Sequence, residues 1–214
     1  MIRDSFESLK VSPKEMDLLW SLGFRHFGTY FFRYDTRCYN NKTVQVLPLR
    51  INLKRFRPSA SQKRIMRRNR DLQVVFRNAF IDEEKIRLFE IHKRRFTENI
   101  PEDLFNFISP MPSIIPCRTL ECSLFHEDKL IAVGFMDIGE DSTSAVYTIY
   151  DTGYYRRSLG IYIILSEIHY SIEAGFNYLY HGYAYREDSY YEYKKNFIGL
   201  EYYDWRGKWK PMMK

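Results

Sequence analysis

The chain has little of what would mark a disulfide-stapled, metal-clustered or membrane-crossing protein. Its 214 residues include three cysteines, Cys38, Cys117 and Cys122, with no paired spacing. That number cannot staple a secreted framework, and Cys117 and Cys122 have no neighbouring histidine at a ligand spacing. No zinc, iron–sulfur cluster or other cofactor is therefore expected. No apolar run is long enough to span a bilayer and no leader pattern opens the chain. A membrane role is not expected, and the cytoplasm is the expected compartment. No internal repeat is visible, which leaves an ordinary packed core as the organising principle.

What is present is aromatic and mildly basic. Hydrophobic residues make up 45%, enough to fill one large core or two small ones, and aromatics 17%, with 18 Tyr and 16 Phe. Tyrosine suits half-buried surfaces and stacking sites. Lys and Arg total 33 against 27 Asp and Glu, a net charge of +6 that fits nucleic-acid binding without demanding it.

The positive charge concentrates in residues 54–72. Lys54, Arg55, Arg57, Lys63, Arg64, Arg67, Arg68 and Arg70 lie there, and the only carboxylate is Asp71. Pro58 breaks the chain, and Ser59 with Gln62 forms a capping-box pattern for a following helix. On that helix Arg64, Arg67 and Arg68 are spaced by three and four and share a face, while Ile65 and Met66 point elsewhere into a core. A row of guanidinium groups is a phosphate-binding surface; a merely solvated basic face is the alternative.

Before this stretch, residues 1–10 show no pattern and read as an arm. Ser12-Pro13-Lys14-Glu15 starts a helix whose Met16, Leu19 and Trp20 share a face and which Gly23 stops. Residues 24–33 read as one aromatic strand and 43–53 as another. After it come a strand over 72–77, a helix opened by Asp82 with Ile86, Phe89 and Lys93 on one side, a short helix at 104–108, and a loop at 109–116 carrying three prolines. From Thr119 the pattern becomes strand (120–125), strand (130–138), strand (145–150), helix (158–174, closed by Gly175), strand (178–183), short helix (190–197) and a hairpin around Arg206-Gly207. Residues 1–110 are expected to carry the basic helix and pack on a core formed by 111–214. The expected class is mixed α+β, with a mixed sheet flanked by helices in the order of the GNAT acyltransferases.

Pro48-Leu49-Arg50, Phe56-Arg57-Pro58-Ser59, Ser61-Gln62-Lys63-Arg64, Arg67-Arg68-Asn69, Ser144-Ala145-Val146-Tyr147, Arg156-Arg157-Ser158-Leu159-Gly160, Tyr178-Leu179-Tyr180, Gly182-Tyr183 and Tyr193-Lys194 form a set. Together they resemble the signature of the aminoacyl-tRNA–protein transferases, the arginyltransferases and the bacterial aspartate/glutamate leucyltransferases. The resemblance covers roughly residues 15–209 and agrees with a GNAT-like C-terminal part. Two family features are absent. The cysteine cluster that usually precedes the Pro-x-Arg element falls on Asn40, Thr43 and Val46. The cysteine that usually precedes the Tyr-Lys pair is missing from Glu187-Asp188-Ser189-Tyr190.

The resemblance implies aminolysis of an aminoacyl ester. The α-amine of an acceptor protein, one with an acidic N-terminus, attacks the ester at the tRNA 3′ end, and the product enters the N-degron degradation route. Whether arginine or leucine is transferred stays open. Candidate donor-site residues are Arg157, Ser158 and Gly160, where a helix N-terminus offers N–H groups to an anion. GNAT enzymes hold acyl-CoA pyrophosphate at such a loop; Arg157 and Gly160 match their pattern, but Tyr162 stands at its last position. Tyr147, Asp151, Tyr180 and Tyr183 are candidate catalytic groups, with the tyrosine hydroxyls as oxyanion donors and Asp151 or His181 as base. Strand alternation puts His181, Tyr183 and Tyr185 on one face and Tyr180 with Gly182 on the other. Tyr193 and Lys194 are assigned to substrate, Lys194 to the tRNA 3′ end or to a carboxylate. Arg64, Arg67 and Arg68 are assigned to tRNA phosphates, and Arg50, on a strand beside Pro48, to the acceptor carboxylate. Two other functions remain open: N-acyl transfer from acyl-CoA, and non-catalytic RNA binding on the same scaffold.

Overall fold

The computed structural model describes residues 1–98 and 100–212. Strand β1 (Arg3–Glu7) comes first, then helix α1 (Pro13–Ser21), whose Ser12 and Glu15 form the expected capping box. Met16 and Trp20 are the buried positions of α1, and Trp20 packs 5.6 Å from the Tyr180 ring. Strands β2 (Arg25–Phe27) and β3 (Tyr30–Tyr34) follow. Two expectations are corrected here. The N-terminal arm is β1, paired along β3, and residues 24–33 are a hairpin that turns at Gly28. Phe6 stacks on Phe31 at 5.0 Å, so an apolar contact outside any periodic pattern orders the arm.

Strand β4 (Thr36–Tyr39) and the long β5 (Lys42–Asn52) are joined by Asn40 and Asn41, both at positive φ. This is the two-residue turn in which asparagine tolerates the left-handed region. Helix α2 (Ala60–Arg68) is the basic helix, capped as expected by Ser59 and Gln62. Strand β6 (Gln73–Asn78) and helix α3 (Glu83–Lys93) come next. Helix α3 buries Lys85, Leu88, Phe89 and His92; of the expected Ile86–Phe89–Lys93 side only Phe89 is buried, and Ile86 is exposed.

Strands β7 (Thr119–His126), β8 (Lys129–Ile138) and β9 (Ser142–Tyr150) form a meander. A 3-10 turn (Thr152–Arg157) leads into helix α4 (Leu159–Glu173), followed by β10 (Tyr178–Tyr185), a 3-10 turn (Glu192–Lys195) in place of the expected short helix, β11 (Leu200–Tyr203) and β12 (Trp209–Pro211).

One sheet runs β12-β11-β5-β10-β9-β8-β7-β6, with β4 paired to β5. It draws β4, β5 and β6 from the first 110 residues and the rest from beyond them, so its hydrogen bonding is continuous across that boundary. Helix α4 covers one face, burying Ile163, Leu165 and Ile168 among strand side chains; each such burial stabilises the fold by about 1.5–3 kcal/mol. Gly134 on β8 lets α4 approach: a Cβ there would meet Ile163 Cγ2 at 2.3 Å. Helix α3 covers the other face with Leu88, Phe89 and the 3-10 residue Leu104. The mixed α+β class and the helix-flanked sheet are as expected from sequence. Among the described residues no helix is long and apolar enough to cross a membrane.

Candidate active site

Among the described residues, β9 and β10 are the one parallel pair in the sheet. They pair over only three positions, Tyr178–Ser142, Leu179–Thr143 and Tyr180–Ser144. Beyond Ser144 the two strands part. Residues 145–150 stay with β8, while β10 goes on pairing with β5. Backbone groups on the facing edges of this gap therefore lose their ladder partners.

Each strand carries a bulge at the parting: Phe135 opposes Tyr147 and Met136 opposes Ala145, so Val146 is an extra residue on β9. On β10, Tyr180 opposes Arg50 and Gly182 opposes Leu49, so His181 is an extra residue. The bulge resets the alternation and corrects the expected faces. Tyr180, Tyr183 and Tyr185 share the face of Arg50, Pro48 and Val46, whereas Gly182 and Ala184 follow Leu49 and Leu47. Gly182 has φ +86°, and a Cβ on it would lie 2.9 Å from Lys194 Nζ. Glycine is needed there both for the backbone and for the ammonium beside it.

Three basic groups converge at this point. Arg25, from β2, donates to Ser144 Oγ at 2.5 Å and to the Ala145 carbonyl, and so holds β9 where it leaves β10. Lys194, from the 3-10 turn, lies against Gly182. His181 is buried, 3% exposed, and neither ring nitrogen has a hydrogen-bond partner. Burial, then the charge of Arg25, pushes the Lys194 ammonium down to about 7. Burial, then Lys194 and Arg25, holds the His181 imidazole well below its usual range, so it is neutral at pH 7. Among the described residues, neither Arg25 nor Lys194 forms an ion pair. Asp137 is the acidic side chain that acts on Arg25, and it is already bonded by His26 Nε2 and Thr119 Oγ1, each at 2.6 Å.

Tyr147 lies on the β9 side, stacked on Phe107 with ring centroids 3.9 Å apart. Its hydroxyl is buried without a partner, and burial raises its pKa. Arg95, just past α3, donates to the hydroxyls of Tyr150 on β9 and Tyr190 in the loop after β10. It thereby ties the two walls together.

Helix α2 bonds to both ends of this region. At its start Gln62 donates to the Asn196 carbonyl at 3.1 Å, next to the turn that carries Lys194. At its end Asn69 donates to the Arg157 carbonyl at 2.9 Å, and Arg68 to that of Arg156, beside the N-terminus of α4. Lys63, Arg64, Met66 and Arg67 line a shallow groove of about 490 Å³. A basic rail with no carboxylate partner among the described residues thus runs from the Lys194 turn to the α4 N-terminus.

Residues 76–204 match the family described as "Arginine-tRNA-protein transferase, C terminus". The chain belongs to this family. It is 31% identical over 191 residues to the aspartate/glutamate leucyltransferase of Leptospira interrogans, covering 87% of this chain and 73% of that one. The enzyme of the same name from Nitrosococcus oceani is 34% identical over 191 residues, covering 85% and 76%. That from Ruegeria pomeroyi is 36% identical over 171 residues, covering 78% and 62%.

In this transferase-family chain the residues singled out from sequence divide into two groups. Tyr147, Lys194, Arg64 and Arg67 present unpaired polar or charged atoms around the gap or along the rail. Others are held by internal bonds. Arg157 makes a bidentate pair with Asp71 at 2.9 and 2.8 Å, the carboxylate that ends the basic stretch. Arg50 Nε donates to Glu201 Oε2 at 2.8 Å between the rings of Tyr178 and Trp209, 3.8 and 4.4 Å away, so its charge already has a carboxylate partner. Tyr183 donates to the Gly23 carbonyl at 2.6 Å, and Tyr180 packs between Trp20 and Trp209. Burial works to raise the pKa of Asp151, but hydrogen bonds from Lys129 and the Gly153 N–H outweigh it and hold the group ionised below its usual range. It caps the 3-10 turn, a structural task that makes it a poor base. Ser158 is the left-handed N-cap of α4 without a side-chain cap bond, and Gly160 lies against Tyr150. Tyr162 turns into the apolar cluster with Leu159 and does not crowd the turn. Tyr193 is in the same 3-10 turn as Lys194.

Sequence reasoning passed over Arg25, Arg95 and the bulge. A glycine one residue after a lone histidine was the only local sign of the bulge. His26, Cys117 and Asp137 are the one group, among the described residues, whose ligand atoms lie within 4.8 Å of one another. His26 Nε2 and Asp137 Oδ2 are 2.6 Å apart, closer than the roughly 3.4 Å that two bonds of about 2.1 Å at a tetrahedral ion require. They satisfy each other as a hydrogen-bonded pair.

Proposed function

We propose that this protein transfers leucine from leucyl-tRNA to the α-amine of acceptor polypeptides whose first residue is Asp or Glu, in the cytoplasm, marking them for degradation. The observation that carries the reading is the gap between β9 and β10 with the basic rail of α2 bonded to both its ends. The choice of leucine and of acidic acceptors follows the names of the relatives.

The acceptor stem lies along Lys63, Arg64 and Arg67, and the aminoacyl ester enters where β9 leaves β10. The amine nitrogen attacks the ester carbonyl, and a tetrahedral oxyanion forms. It collapses as the ribose oxygen leaves with a proton, and an amide bond remains. An α-amine with a pKa of about 7.7–8.0 is partly neutral at physiological pH, and a cationic site favours that neutral form. Positioning and oxyanion stabilisation are then the main tasks of the protein. The Tyr147 hydroxyl, lacking any partner, and the N–H groups at the start of α4 are the donors that suit it.

The test is incubation of the purified chain with leucyl-tRNA or arginyl-tRNA and peptides bearing each N-terminal residue, read by mass spectrometry. Addition of one leucine to Asp- and Glu-peptides is the expected result. Addition of arginine would reassign the donor. Acyl transfer from acyl-CoA with no use of either tRNA would overturn the proposal.

A further inference from the structure

The half-buried positive charge at the parting of β9 and β10 has no anionic partner among the described residues. Arg25 spends its donors on a hydroxyl and a carbonyl, both neutral. Lys194 has no carboxylate, and its ammonium is held against the backbone of Gly182. His181 is nine-tenths buried and more, with two orphaned nitrogens, between these cations and Phe197, 5.0 Å away. Burying polar groups without partners is unfavourable, and burying like charges together more so. Such an arrangement persists where a ligand completes it.

We propose that Arg25 and Lys194 form the subsite for the side-chain carboxylate of the acceptor's first residue, with His181 accepting a hydrogen bond from its α-amine. This rests on the transfer reading and names the acceptor half of the site. The carboxyl and the amine of an N-terminal Asp hang from adjacent carbons, so one compact cluster can hold both. A carboxylate would convert the unpaired cations into a charge-assisted pair. A neutral isostere such as Asn would leave them unpaired, which is how a buried polar site rejects the wrong substrate. Arg50 is unsuited to this task because Glu201 already occupies it. A phosphate near the tRNA 3′ end is the rival occupant, but the exposed arginines of α2 offer phosphates a site at no desolvation cost.

The experiment compares two otherwise identical peptides beginning with Asp and with Asn, using the full chain. It measures kcat/KM with aminoacyl-tRNA and, separately, binding of the fluorescently labelled peptides without tRNA. In Lys194→Met the Asp-to-Asn ratio should fall by about 10–100-fold in both measurements, the loss expected for a hydrogen bond to a charged group. Lys194→Arg should restore part of the ratio. Arg25→Lys, which keeps the charge but not the fork, should lower it by a smaller factor. If Lys194→Met lowers both peptides alike, or weakens aminoacyl-tRNA binding with the ratio intact, the inference is overturned. If the wild-type protein discriminates in peptide binding through Lys194 yet transfers nothing, the subsite stands and the transfer reading falls. If it transfers but the ratio ignores Lys194, the reverse holds.

Discussion

The guanidinium groups of α2 stand in solvent, whereas Arg25 and Lys194 meet, half-buried, at the parting of β9 and β10. Both regions are cationic, and the difference lies in who bears the cost. On α2 water solvates each charge, salt screens it, and any one arginine is replaceable. At the strand parting both cations are half-buried, the ammonium is already pushed down to about 7, and no residue duplicates another. The first arrangement suits a long polyanion bound by many loose contacts. The second suits one small anion bound by a few fixed ones.

The sharpest way to break this contrast is at Gly182. Gly182→Ala places a Cβ 2.9 Å from Lys194 Nζ at a backbone φ of +86°. Displacing a positioned group by about 1 Å can cost on the order of 10² in rate. Transfer kcat/KM should fall by about that much in an assay with Asp-peptides, and a change under threefold would mean that Lys194 has no positional role. Next in size, the Arg64→Ala, Arg67→Ala double variant should weaken tRNA binding without altering the Asp-to-Asn ratio. The slope of log affinity against log salt should drop by roughly two charges. An unchanged slope would remove α2 from the tRNA surface.

A stability measurement sharpens the contrast further. The Lys194 pKa is lowered in the fold from 10.5 to about 7. Below pH 7 the ammonium is charged in both folded and unfolded chains, and the full penalty applies. As pH rises from 7 towards 10.5 the unfolded chain binds more protons, so stability increases. Lys194→Met should therefore raise Tm by several degrees at pH 6, with the gain fading towards pH 10. An equal gain at both would show that the ammonium is not strained. The smallest effect belongs to the surface pair. Arg157 holds the Asp71 carboxyl down at about 2, so the stability it adds is present above pH 4 and lost between about pH 4 and 2. Asp71 is nearly half exposed, and solvent screening keeps this below about 1 kcal/mol. Asp71→Asn should move Tm by no more than a few degrees at pH 7 and by nothing at pH 2.

Several elements could be read directly because their signals are local. The Ser12–Glu15 and Ser59–Gln62 capping boxes, the basic face of α2 and the strand–helix order after Thr119 all depend on residues within a turn or two of one another. The family motifs were legible for the same reason. Other features were hidden because distant segments decide them. The β1 strand exists because β3 lies beside it. Arg50 was paired through Nε with Glu201, far along the chain, and the alternation of β10 was shifted by its register with β5.

The sequence by itself determined the helices, their caps, the basic rail and the kinship to the tRNA-dependent transferases, since each is written in spacing and side-chain type. Only the tertiary structure decided which of the many arginines, lysines and tyrosines remain unpaired. Pairing depends on which groups folding brings within hydrogen-bond reach and shields from water. Arg157, Arg50, Tyr183 and Asp151 found partners within the chain, while Lys194, His181 and Tyr147 were left without partners among the described residues.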